Sequence, residues 1–285
     1  MIASGPVAPL KHVLKDTVAQ HTDGKYLNDI CTRLRLILIW FNFRCGKTKE
    51  HCVDSCQSNC SAENIDSSVG LVNNGTVPLG RLIDSCVVPG TAAITFDDGP
   101  VSITKDLLAT LAEKEVKVTF FVIGEQIADN AETLKSAFDA GHHIASHTWN
   151  HPDLKTLSDE DVALQMKNTS DAIFNVLGKR PQYMRPPYGS VSDQTLQVLG
   201  SLGYKVIYWN LDTLDWETKD GEKTLEAYQQ YLSTASVESS SILSLQHDIQ
   251  DSTIGVAGNI IDLVKEAGYK IVTVPECLGD TGLYY

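Results

Sequence analysis

From Cys86 onward, short apolar runs alternate with segments of helical period. Strand-like runs fall at 91–96, 116–123, 142–146, 182–185, 204–210, 241–246 and 269–274. Helical segments fall between them at 103–114, 130–140, 158–177, 191–202, 222–235 and 255–267. In 158–177, Val162, Met166, Ile173 and Leu177 share one face, and Ser158 with Asp161 supplies a helix start. Three junctions repeat one device: Ala140-Gly141-His142, Leu202-Gly203-Tyr204 and Ala267-Gly268-Tyr269 each end a helix on Gly and enter a strand. Strict β/α alternation over about 200 residues predicts a parallel sheet of about seven strands, either closed as a barrel or open and doubly wound.

Upstream the pattern changes. Residues 1–44 show no helical or strand period and are left unassigned, as a disordered or mis-assembled N-terminus. Met1 to Gln20 lacks the basic-then-apolar order of an export signal. Residues 45–60 are Cys-rich, 61–85 are rich in Ser, Asn, Asp and Gly and read as a linker, and 86–280 read as the main domain.

The chain has 285 residues, 42% of them hydrophobic, enough for one large domain with a small appendage. A net charge of −13 argues against nucleic acid and anionic membrane surfaces as partners. No run of 18 apolar residues is present, so no membrane-spanning helix is expected. Five of the seven cysteines lie between Cys31 and Cys60, an extracellular style of usage. Sequons at Asn59, Asn74 and Asn168 fit a secreted glycoprotein. Cys86 precedes the first predicted strand and Cys277 follows the last. In a closed barrel those ends are neighbours, so a bridge between them is expected.

Candidate chemistry collects in five clusters, each just past the end of a predicted strand. Phe96-Asp97-Asp98-Gly99-Pro100 places two adjacent carboxylates at a turn. Keeping both ionised requires a nearby cation, so one carboxylate can bind a metal while the other serves as base; a solvated Asp-Asp turn is the plainer reading. His147-Thr148-Trp149-Asn150-His151 spaces two imidazoles four apart, so that one helical turn would put both on one side. Two His and one Asp make an open site suited to zinc, cobalt or another first-row ion. Arg185-Pro186-Pro187-Tyr188-Gly189 sets a guanidinium and Tyr188 on a rigid turn, from which the Arg can pair with an aspartate. Asp212-Thr213-Leu214-Asp215-Trp216 and Leu245-Gln246-His247-Asp248 complete the set. In parallel β/α folds active sites gather at the C-terminal strand ends.

In order and spelling, TFDDGP, HTWNHP, RPPYG, DTLDW and LQHD resemble the five motifs of the polysaccharide deacetylases, the family 4 carbohydrate esterases with a NodB-like domain, and within them the fungal chitin deacetylases. The resemblance implies a distorted (β/α) barrel and a divalent metal held by Asp98, His147 and His151. It implies Asp97 as general base, His247 as general acid, Arg185 holding Asp97 in place and ionised, and Asp215 orienting His247. The Tyr188 N–H would help stabilise an oxyanion, and Trp216 and Leu245 would line the pocket for an acetyl methyl. Cys45, Cys52, Cys56 and Cys60 resemble the second half of a hevein-like chitin-binding module, in which Cys56 and Cys60 would form the final bridge.

The expectation is therefore a secreted or cell-wall, monomeric, metal-dependent hydrolase that removes N-acetyl groups from chitin, giving chitosan and acetate. Acetylxylan or peptidoglycan are alternative substrates for the same site. A non-catalytic chitin-binding protein is the alternative of another class.

Overall fold

The structure, a computed structural model, describes residues 77–285, which lie in the second of the chain's two units, Val69–Tyr285. The unassigned segment 1–44, the hevein-like remnant with Cys56 and Cys60, and the sequons at Asn59 and Asn74 lie outside the described residues.

Ten short strands are present among the described residues: β1 (Leu82–Ile83), β2 (Thr91–Ala93), β3 (Thr95–Asp97), β4 (Thr119–Val122), β5 (His143–Ser146), β6 (Tyr183–Met184), β7 (Lys205–Ile207), β8 (Leu211–Asp212), β9 (Ile242–Leu245) and β10 (Lys270–Ile271). The helices are α1 (Thr104–Glu113), α2 (Ala131–Asp139), α3 (Asp159–Leu177), α4 (Asp193–Ser201), α5 (Asp215–Thr218), α6 (Gly221–Thr234), α7 (Asp251–Glu266) and α8 (Val274–Cys277). All named pairings are parallel.

The strands form two sheets, ordered β1-β7-β6-β5-β4-β3 and β10-β2-β9-β8. Two chain segments run through both. Residues 91–97 pair first with β9 and β10 and then with β4, while Asp97 N–H donates to the Gln246 carbonyl. Residues 205–212 pair first with β1 and β6 and then with β9. The two seams close the sheets on each other as a distorted barrel.

Alternation along each strand decides what enters the lumen. Ala93, Phe121, Ala145, Tyr183, Ile207 and Leu243 pack together inside. Their neighbours Ala92, Phe120, Ile144 and Ile242 pack outward with Leu107, Leu134, Ile173 and Ile260 of the helices. The same parity carries Thr95, Asp97 and Arg185 into the barrel. At its lower end, Lys205 and Tyr183 are buried against Asp280 of the C-terminal segment. Cys86 and Cys277 are disulfide-bonded with Cα atoms 5.0 Å apart, as the barrel closure implies.

The structure corrects four sequence readings. Predicted strand 91–96 divides into β2 and β3, because the chain changes partners at Ile94. β1 and β8 have only two residues each, too short for a period to show. Because β1 pairs with β7 and Val77 is buried, residues 77–85 belong to the domain and not to a linker over 61–85. Asn168 sits half-buried within α3 beside buried Thr169 and Ser170, not in the surface loop that suits a glycan.

Candidate metal centre and acid–base pairs

Asp98 leaves β3 in the left-handed region, with φ 78°. His147 and His151 are not on a helical turn. They occupy a loop after β5 in which Thr148 (φ 70°) and His151 (φ 59°) are left-handed. This path, not helical spacing, brings both rings to the same carboxylate. His151 Nε2 lies 3.4 Å and His147 Nε2 3.5 Å from Asp98 Oδ1.

The donor chemistry of this trio asks for a cation. His147 Nδ1 lies 2.7 Å from the Arg185 carbonyl, an acceptor, so Nδ1 carries the proton and Nε2 presents its lone pair. Burial keeps the ring neutral by lowering its pKa to about 3, against the pull of Asp98. A lone pair thus faces a buried carboxylate oxygen that has no hydrogen-bond partner. One ligand atom from each of the three residues falls within 4.8 Å of the others. The site fits a divalent metal held by two imidazoles and one carboxylate.

Arg185 is fully buried and serves both sides of this centre. Its NH1 donates to Asp97 Oδ1 at 2.8 Å and to Thr95 Oγ1 at 2.6 Å, and its NH2 donates to the Tyr208 carbonyl at 2.9 Å. Its guanidinium stacks over Phe121 at 4.3 Å, while its carbonyl fixes the His147 tautomer. Burial raises the Asp97 carboxyl above the ordinary range, and Arg185 opposes that shift. A carboxylate raised in this way is a stronger base.

Across the seam, a parallel bridge sets Asp97 opposite His247. Asp215, wholly buried at the start of α5, accepts from the His247 backbone N–H and pairs with His247 Nδ1, both at 2.8 Å. Thr253 Oγ1 donates to the same carboxylate at 2.7 Å. Burial alone would lower His247, but the Asp215 carboxylate, joined by Asp97 and Asp98, raises it to about 9. Burial likewise opposes ionisation of Asp215, yet its bonds to His247 and Thr253 hold it below the usual carboxylate range. His247 therefore favours its protonated form, and Asp97 stands opposite it across the bridge.

Of the remaining expected residues, Tyr188 (φ 58°) has its ring 4.6 Å from that of His151 and is 70% exposed. Trp216 is exposed in α5, next to Asp215. Leu245 is buried at the end of β9, in register with Asp212. Sequence reasoning missed Thr95 and Thr253. Thr95 could have been found from its parity with Asp97 on one strand; a Thr at the start of a helix carries no such signal.

The chain is similar in sequence and in fold to known proteins. The polysaccharide deacetylase family model matches residues 84–207. A chitin deacetylase of Pestalotiopsis sp is 41% identical over 209 residues, 72% of this chain and 69% of that protein. A chitin deacetylase of Colletotrichum lindemuthianum is 41% identical over 213 residues, 72% of this chain and 86% of its relative. The solved structure of a Colletotrichum lindemuthianum chitin deacetylase superposes with a TM-score of 0.70 at 39% identity, over 73% of this chain and 97% of that one. With the motif-bearing strand ends, the barrel and these relatives in agreement, this chain belongs to the polysaccharide deacetylases, hydrolases of a metal-dependent family.

Proposed function

We propose that this protein is a chitin deacetylase, hydrolysing the N-acetyl groups of N-acetylglucosamine units to release acetate and leave chitosan. The observation that carries the reading is the convergence of a base, an acid and a three-ligand cluster at one end of the barrel, tied by the Asp97–His247 bridge. The relatives named chitin deacetylase support chitin over other acetylated polymers. The Cys86–Cys277 bridge supports an extracellular or cell-wall setting, and no helix among the described residues is long and apolar enough to cross a membrane. The protein acts as a monomer on its polysaccharide.

Asp98, His147 and His151 would hold the metal, and zinc or cobalt suits their donor set. When bound, the ion supplies Lewis acidity toward the acetamide carbonyl. Asp97, held by Arg185, takes a proton from the attacking water as its oxygen bonds to the carbonyl carbon. The Tyr188 backbone N–H helps stabilise the negative charge that develops on the carbonyl oxygen. His247, held protonated by Asp215, gives its proton to the amide nitrogen as the C–N bond breaks, so the sugar leaves as an amine. Trp216 and Leu245 enclose the acetyl methyl.

Acetate release from chitin oligomers, with and without chelator, tests this. Activity is expected to vanish with chelator and return with zinc or cobalt. Asp97→Asn and His247→Ala are each expected to lower kcat by about 10²–10⁴. Release from acetylated xylan or peptidoglycan but not chitin would replace the substrate and keep the mechanism. A folded, metal-loaded protein silent on all three would falsify the enzyme reading.

A further inference from the structure

Asp248 follows His247 directly, and the proposed chemistry gives it no part. It is 1% exposed, and its Oδ1 has no hydrogen-bond partner. A buried carboxylate with an unpaired oxygen costs stability, so its place in the fold calls for an explanation. Its Oδ2 accepts from Thr104 Oγ1 at 2.6 Å, and Thr104 Oγ1 in turn accepts from the Val101 N–H at 3.0 Å. The carboxylate also lies directly against Gly99. A Cβ on Gly99 would stand 2.1 Å from Asp248 Oδ2 and 2.5 Å from Oδ1, so only glycine fits there. Asp248 also lines a small, largely apolar cavity with Pro100, Phe120, Val122 and Leu134. Along the backbone, the Asp248 N–H donates to the Asp97 carbonyl at 3.3 Å, and the Gly99 carbonyl accepts from the Ile123 N–H at 2.9 Å.

We propose that Asp248 is a positioning residue for the metal-binding turn: its carboxylate braces Gly99 and, through Thr104, Val101, so that Asp98 is presented to His147 and His151 in a fixed direction. This rests on the proposed metal centre. Because Asp248 is the next residue after His247, one strand end carries both the general acid and the brace for a metal ligand. The two halves of the site are thereby held in mutual register. Groups that orient metal ligands typically change metal affinity by about 10–100-fold when removed.

Three substitutions test the brace: Asp248→Ala, Thr104→Val and Gly99→Ala. Metal affinity of the full chain would be measured by competition with a chromophoric chelator using zinc, alongside melting of the metal-free protein and kcat and KM on chitin oligomers. Asp248→Ala is expected to weaken zinc about 10-fold or more, with Thr104→Val intermediate. KM at saturating zinc should change little. Gly99→Ala should weaken zinc as well, and adding Asp248→Ala to it should cause no further loss, because the clash and the brace are one contact. Asp248→Ala or Thr104→Val with wild-type zinc affinity, whatever the melting temperature, overturns the proposal. A native chain that binds no zinc overturns it together with the metal centre. A native chain that binds zinc but releases no acetate sinks the deacetylase reading alone, and the affinity series then still decides the role of Asp248.

Discussion

At the scale of single residues, the site is governed by which partner each titratable group meets. In the proposed mechanism His247 needs its proton to act as an acid, and the Asp215 carboxylate favours that proton, lifting the ring to about 9. Activity should therefore decline as pH rises through about 9. Asp215→Asn should move this alkaline limb of kcat/KM downward, since burial without the anion favours the neutral ring; an unmoved limb would exclude Asp215 as the cause. The same pair contributes to stability. Because the folded value lies above the ordinary 6.5, its contribution is complete below that pH and is lost as pH climbs through about 9. Arg185 shows how much one buried residue can organise: its side chain holds Asp97 while its carbonyl sets the His147 tautomer.

At the scale of elements, local sequence signals were dependable where a chemical device marks them. Ser158 caps α3 by accepting from the Asp161 N–H at 3.1 Å, as its spacing predicted. Ser158→Ala should cost about 0.5–2 kcal/mol, read by denaturant melts; no change would mean that tertiary contacts alone hold that end. The three junction glycines have φ between 83° and 88°, the left-handed turn their position implied. Signals failed where an element is defined by its partner. The split of 91–97 between two sheets cannot be seen in the sequence, because both halves are buried and the run is unbroken by any turn residue. The His147–His151 spacing pointed to a helical turn, but His151 precedes Pro152, which disfavours helix at that residue, and the segment instead uses two left-handed residues.

At the scale of the whole molecule, two long-range ties hold the barrel's ends. The Cys86–Cys277 bridge spans 191 residues. In the chain-entropy account such a loop adds about 5 kcal/mol, so the Cys86→Ser, Cys277→Ser double variant should melt well below the parent; equal melting temperatures would remove that role. The second tie is the buried pair of Lys205 and Asp280, where Lys205 Nζ also donates to the Gly282 carbonyl at 2.8 Å and Tyr183 OH donates to Asp280. Removing one partner strands the other charge, so Asp280→Ala should destabilise by about 3–5 kcal/mol in equilibrium unfolding, and a change within error would show the pair to be idle. Burial opposes ionisation of Asp280, but Lys205 and Tyr183 hold its carboxyl below the ordinary range. Its contribution is thus present above the ordinary carboxylate pKa and lost as pH falls through the lower folded value.

The sequence by itself determined the β/α alternation and the placement of candidate chemistry at C-terminal strand ends, and it nominated Asp97, Asp98, His147, His151, Arg185, Asp215 and His247, because these depend on periodicity and on residue type within a few positions. Tertiary structure alone decided how these groups face one another. Asp97 meets His247 across 150 residues only because 91–97 changes sheets; Thr253 reaches Asp215 and Asp248 reaches Gly99 only because strand ends converge. Side-chain type travels with the local sequence, whereas direction and distance belong to the closed barrel.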